Sequence, residues 1–359
     1  MREPRLARFF LAAYVLLVAY ATLHPFSGWR DPGASAFAFL VAPWPRYITA
    51  FDLCANFFGY LPLGMLCTAA SGRPLSAARG ALLAALAGAA LSLLLEGAQS
   101  YLPSRISSNV DLLANMAGAV AGGAAGARFA PRWRDGGPWR QLRTQAFGAE
   151  PAADLGLALL LLWLFAQLNP ATLLFGCGDL RDLLAGPPVG QKGERHAAQL
   201  FVSVEAATAA ANLTAILLLA SAGIRDGAPT RRLLAVLVLA ALAVKTFAFA
   251  ILMRAENVFA WLTPGAQLGL VAGSVLALVL LALPRTVRLA LAAMLLMAAT
   301  VLVNLAPPNP YLAATLKVWE QGHFLNFNGL TRLVSAAWPF AALGYLVYLA
   351  SARLRDSLR

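Results

Sequence analysis

The chain has 359 residues, of which 60% are hydrophobic and only 12% charged, with a mean hydropathy of +0.69. An ordinary soluble domain carries roughly 25% charged residues, so water is not this chain's main solvent. Its net charge of +12 suits nucleic acid, anionic lipid or the positive-inside rule, and position along the chain separates these.

The first apolar run, 6–23, follows a basic start and contains Ala19-Tyr20-Ala21, a small-x-small pattern that also suits a signal-peptidase site. It is as long as a span and further apolar runs follow, so it reads as an uncleaved anchor. Those runs fall at 51–70, 77–99, 110–129, 153–169, 198–222, 232–252, 263–283, 286–305 and 334–351. They predict an all-α, polytopic membrane helix bundle of about ten transmembrane helices.

With the N-terminus inside, 18 of the 28 Lys and Arg residues fall in inner segments and nine in outer ones, with Lys245 inside a span. That bias places both termini in the cytoplasm of a multi-pass protein of the cell (inner or plasma) membrane. The basic excess is spread over every inner loop rather than gathered on one face, which disfavours nucleic acid as a partner and leaves membrane lipids. Its densest stretch, Arg128 to Arg143, fixes topology or rests on anionic headgroups. It divides the chain into a four-helix module over 1–130, a basic linker over 131–152 and a further membrane domain of about six helices over 153–359.

The long outer segments 24–50, 170–197 and 306–333 set Trp, Tyr and Phe among Pro and Gly, as in Pro25-Phe26-Ser27-Gly28-Trp29 and Pro43-Trp44-Pro45. Such aromatics mark the membrane interface, or form short re-entrant or lid elements.

Polar residues concentrate at the outer ends of the second to fourth spans. Asp52, Asn56 and Tyr60 recur at i, i+4 near the start of the second and share one helix face. Glu96 and Gln99 end the third, Arg105 lies in the hairpin, and Asp111 and Asn115 begin the fourth after Ser107, Ser108 and Asn109, which suit capping. Below them Gly88 and Ser92 on one side and Gly118, Gly122 and Gly126 on the other form stripes of small residues that permit close helix contact in lipid. An ionised carboxylate at membrane depth costs roughly 2.5–3.5 kcal/mol on insertion scales, so pairing or hydration must offset it, and Arg105 is the expected partner. The same residues also suit a satisfied network that only fixes the packing of three helices.

The order D-x(3)-N-x(5)-P-x-G, then E-x(2)-Q with a following Arg, then D-x(3)-N-x(2)-G resembles the VanZ-like family of membrane proteins. It is carried by Asp52, Asn56, Pro62, Gly64, Glu96, Gln99, Arg105, Asp111, Asn115 and Gly118, within residues 1 to about 130. The resemblance implies a four-helix membrane module of the cell envelope and, for the founding teicoplanin-resistance protein, lower glycopeptide susceptibility. The chain departs from the minimal pattern by continuing for some six more spans.

In the second half, Lys245 lies midway through a span, where Glu205 one span earlier is the expected counter-charge, as a structural pair or a proton or transport site. Glu320 and His323 fall in an outer segment as a lid, a second half-site or a polar cap. The three histidines have no HxxxH or HExxH spacing, and Cys54, Cys67 and Cys177 form no CxxC, so no metal, cofactor or disulfide framework is indicated.

These features point to a cell-envelope role. Asp52, Glu96 and Asp111 are expected to bind polar or cationic groups of an envelope lipid, a lipid-linked precursor or a lipophilic glycopeptide, with Asn56, Gln99 and Asn115 orienting it and Arg105 balancing charge or holding phosphate. Two alternatives stay open: a membrane enzyme acting on lipid-linked sugar or phosphate, and a transporter. Oligomeric state is not legible in the sequence.

Overall fold

The computed structural model of the chain describes residues 5–24, 26–45, 50–133, 138–148, 151–181, 194–252, 258–306 and 325–357. These form α1 (Arg5–Leu23), α2 (Ala50–Ala70), α3 (Ala77–Gln99), α4 (Asn109–Trp133), α5 (Pro138–Ala146), α6 (Pro151–Ala166), α7 (Glu194–Gly223), α8 (Thr230–Leu252), α9 (Pro264–Leu280), α10 (Arg285–Leu305) and α11 (Leu325–Ser357). No strand occurs among the described residues. Among the described residues seven helices, α2, α3, α4, α7, α8, α10 and α11, are long and apolar enough to cross a membrane, and α1, α6 and α9 are shorter apolar helices. The ten apolar helices coincide with the ten predicted runs, and the protein is a polytopic helical membrane protein.

The chain divides into two compact units, Met1–Thr144 and Gln145–Arg359. In the first, Tyr60, Leu63 and Ala119 form a buried centre against Leu11, Val15 and Val18 of α1 and Leu91 of α3. The contact between α2 and α4 is made by backbone. A Cβ at Gly118 would run into the Phe57 carbonyl oxygen, and one at Gly122 into that of Leu61. Without side chains between them, the helices gain dispersion contact where lipid offers no hydrophobic drive to pair. Thr68, fully buried, donates to Gly64 O and to Gly123 O, 3.1 Å each, and so ties α2 to α4.

In the second unit the same device joins α9 to α7. Gly265, Gly269 and Gly273, four apart, lie against Glu205, Ala209 and Ala210.

The α6 helix has only 16 residues, about 24 Å at 1.5 Å per residue, short of a roughly 30 Å hydrocarbon core. The irregular segment after it runs buried or half-buried through Gly178, which membrane depth tolerates only where protein satisfies the backbone. Lys245 Nζ donates to Asn169 O and Thr172 O, and Asn304 Nδ2 to Gly178 O at 2.7 Å. Pro339 inside α11 has no N–H for the Ser335 carbonyl four residues back, and the Gly178 N–H occupies that carbonyl instead, at 2.8 Å. Gly178 has φ +84, and a Cβ there would stand 2.9 Å from Thr300 and 3.0 Å from Pro339, so both conformation and space require glycine.

Candidate functional site

At one end of the first unit, the C-terminal ends of α1 and α3 meet the N-terminal ends of α2 and α4. The loop 26–45 lies over them through backbone and ring contacts. Ser100 Oγ donates to Ala36 O at 2.9 Å and Asn109 Nδ2 to Ala42 O at 2.8 Å. Arg30 N donates to Tyr101 O, and a Cβ at Gly97 would stand 3.0 Å from the Phe37 ring.

Within this end five of the seven residues singled out from the sequence fall into three layers. Outermost, Asn56 Nδ2 donates to Asp111 Oδ1 at 2.8 Å. Asp111 is half-buried and the exposed Asp52, one helical turn before Asn56, is its electrostatic neighbour. Further in, Glu96 is 4% exposed and its Oε2 accepts from the Ser108 backbone N–H at 3.0 Å. That N–H lies just before α4, where free donors and the helix dipole favour an anion. Asp111 and Glu96 also sense each other electrostatically. Deepest, Asn115 Nδ2 donates to Ser92 Oγ at 2.9 Å, the Tyr60 hydroxyl lies against Ser92, and Asn115 Oδ1 is buried without a hydrogen-bond partner among the described residues.

The remaining two residues serve another element. Gln99 Nε2 donates to Thr22 O at 2.8 Å, and Arg105 donates through Nε at 3.1 Å and Nη2 at 2.6 Å to His24 O. Both close the C-terminus of α1, whose last carbonyls have no following turn to bond them and whose dipole favours a cation. The expected pairing of Arg105 with the carboxylates is therefore corrected for Glu96 and Asp111. Their partners are Ser108 N–H and Asn56, because the α1 carbonyls offer the guanidinium an acceptor already fixed in place. Burial lowers the Arg105 pKa from its ordinary value. Burial first, then the Arg105 charge, lowers that of His24, whose Nδ1 is buried without a hydrogen-bond partner among the described residues.

Of the predicted caps, Ser108 takes the role, its Oγ accepting from Val110 N at 3.2 Å and Asp111 N at 3.4 Å. Ser107 instead donates to Glu96 O at 2.6 Å. The sequence reading missed the carbonyls of Thr22 and His24, and the α3–α4 hairpin offers no local signal for them, since the contacts span 77 and 81 residues.

In the second unit Lys245 is 1% exposed and Glu205 3%. They are electrostatic neighbours, but no salt bridge joins them among the described residues. The expected direct pairing is replaced by Lys245 bonds to loop carbonyls, which hold an ammonium without placing a second charge in contact with it. Glu320 and His323 lie outside the described residues. No group of three or more His, Cys, Asp or Glu residues suited to a metal ion occurs among the described residues.

No curated protein and no solved structure matches the chain. Residues 9–128 match the VanZ/LLP1 family model, which spans α1 to most of α4 and every residue of the layered cluster. The protein is therefore a polytopic membrane protein that carries a VanZ-like segment within a longer chain.

Proposed function

We propose that the acidic end of the VanZ-like segment binds the cationic or polar headgroup of an envelope amphiphile, a lipid or a lipid-linked precursor, at the outer leaflet of the cell membrane. One observation carries the reading. Asp52, Asp111 and Glu96 form a series from exposed to buried, while Arg105, the cation beside them in the sequence, donates to the end of α1. Carboxylates gathered in a low-dielectric surround attract an ammonium or a donor-rich headgroup, and a charge-assisted hydrogen bond contributes roughly 1.5–3 kcal/mol. Asn56, held to Asp111, presents its amide oxygen to the same ligand.

Binding is favoured over phosphoryl transfer because a transferring phosphoryl group is commonly clamped by a cation, and Arg105 is engaged at the end of α1. A place in glycopeptide susceptibility follows if the ligand is a cell-wall precursor or the lipophilic drug itself.

The test compares lipids retained by wild type and Asp111→Asn, purified in mild detergent and analysed by mass spectrometry. An amine-bearing or precursor lipid enriched with wild type should fall about tenfold in the variant, the equivalent of about 1.4 kcal/mol. Identical lipid profiles from two folded proteins would remove the proposal.

A further inference from the structure

The loop between α1 and α2 changes character midway. Residues 30–35 include Arg30, Asp31 and Ser35 and are exposed. The next ten, AFAFLVAPWP at 36–45, carry no charged, amide or hydroxyl side chain, yet most of them are exposed as well. Val41 is 90% exposed, Trp44 68%, and Ile106 of the neighbouring α3–α4 hairpin 88%. Large apolar side chains gathered on a surface in this way mark a place of interaction.

The segment is nonetheless fixed in place. Phe39 is buried, and the Phe37 ring lies against Gly97 of α3. Ser100, just after α3, holds the Ala36 carbonyl, and Asn109, at the start of α4, holds that of Ala42. Much of the remaining backbone is bonded from within. The Phe37 N–H donates to Ser35 Oγ and that of Ala38 to Ser35 O. Those of Leu40, Val41 and Ala42 donate to the carbonyls of Phe37, Ala38 and Phe39 around a 3₁₀ turn. Pro43 and Pro45 have no N–H to satisfy. A loop surrounded by water can leave such groups to the solvent, whereas one that enters lipid must bond them itself.

Its neighbours and its chemistry say what covers it. The loop joins two of the apolar helices, so both of its ends lie at a membrane boundary. Exposed apolar side chains of the spans come within two turns of each anchor point: Leu94, six residues before Ser100, is 66% exposed, and Leu113, one turn after Asn109, is 46% exposed. A protein partner or a second copy would form a hydrogen bond for every 100–200 Å² or so of interface. The side chains of 36–45 offer only the Trp44 indole N–H for that purpose, and lipid asks for none.

We propose that residues 36–45 form an interfacial wedge seated in lipid at the headgroup–acyl boundary. The leaflet is the one at this end of the first unit, the outer leaflet in the predicted orientation. Trp44 lies at headgroup level, where indole rings concentrate, while Leu40, Val41 and Ile106 enter the upper acyl region, roughly 5–10 Å deep. The irregular backbone bars a deeper position, and residues 30–35 stay in water. Seating in lipid does not depend on what the acidic cluster binds, and its test reads depth rather than ligand.

Val41→Cys, Ala34→Cys and Leu94→Cys, each in a background lacking Cys54, Cys67 and Cys177, are labelled with a nitroxide in vesicles of phosphatidylethanolamine and phosphatidylglycerol. Collisions with oxygen, which concentrates in lipid, and with a neutral nickel chelate, which stays in water, report depth whichever way the protein inserts. The ratio of oxygen to nickel collisions at Val41 should exceed that at the exposed Ala34 by about fivefold and approach that at Leu94. A ratio equal to that at Ala34 overturns the proposal. So does a Val41 label shielded from both probes, which would place protein over the segment. If the cysteine-free protein does not fold, the native chain serves instead. The difference in emission between wild type and Trp44→Phe isolates Trp44, and phospholipid brominated near the top of its acyl chains should quench at least half of it. An unquenched difference overturns the wedge equally.

Discussion

His24 and Arg105 show how a residue that looks catalytic can be committed to holding an element. Arg105 stays charged in spite of its burial, since a guanidinium is not deprotonated in proteins, and its bonds to the His24 carbonyl close α1 beside the imidazole. Burial and then the Arg105 charge lower the His24 pKa, so the folded state favours neutral imidazole and the unfolded state takes up its proton first as pH falls. The His24 contribution to stability is complete above the unfolded value of about 6.5 and is lost as pH drops through the lower folded value. The melting temperature of the detergent-solubilised wild type should therefore fall relative to that of His24→Gln as pH drops below about 6.5. An unchanged pH slope in the variant would assign the dependence to other groups.

Elements in this protein are joined by what the sequence leaves out. Where Gly118 and Gly122 of α4 meet α2, a methyl group has no space short of moving one helix off the other, because the obstruction is a backbone carbonyl. Gly118→Ala should destabilise the first unit by about 1–3 kcal/mol, the usual range for overpacking, measured by thermal unfolding in detergent. A Cβ at Gly59, on the same α2 helix, would meet nothing within 4 Å, and Gly59→Ala should be neutral or slightly stabilising, as alanine is the better helix former. Equal loss in both variants would mean that close packing between α2 and α4 is not what holds the pair.

For the whole molecule, the charge bias makes a definite statement about orientation. In a background lacking Cys54, Cys67 and Cys177, a cysteine placed at the exposed Ser35 should react with a membrane-impermeant maleimide added to intact cells. One placed at exposed Arg73, in the turn between α2 and α3, should react only after the membrane is opened. The reverse pattern would invert the topology and move the acidic cluster to the cytoplasmic side, where an outer-leaflet ligand is out of reach.

The number and place of the apolar helices are legible in the sequence, because a bilayer-length run of hydrophobic residues has few structural options once every backbone polar group must be bonded internally. So is the set of residues that gathers at one end of the first unit, since i, i+3 and i, i+4 spacing settles which side chains share a helix face. Helix ends are less legible: α11 begins at Leu325, well before the apolar run at 334–351, because polar residues extend a helix without adding to its hydropathy.

How the charges are used emerges only from tertiary contacts. Arg105 and Gln99 serve α1, Glu96 takes the Ser108 N–H, Asp111 pairs with Asn56, and Lys245 binds loop carbonyls rather than Glu205. The reason is that a buried donor seeks whichever acceptor is held in reach at least cost in ordering, and unpaired helix ends and irregular backbone supply such acceptors from parts of the chain far apart in sequence.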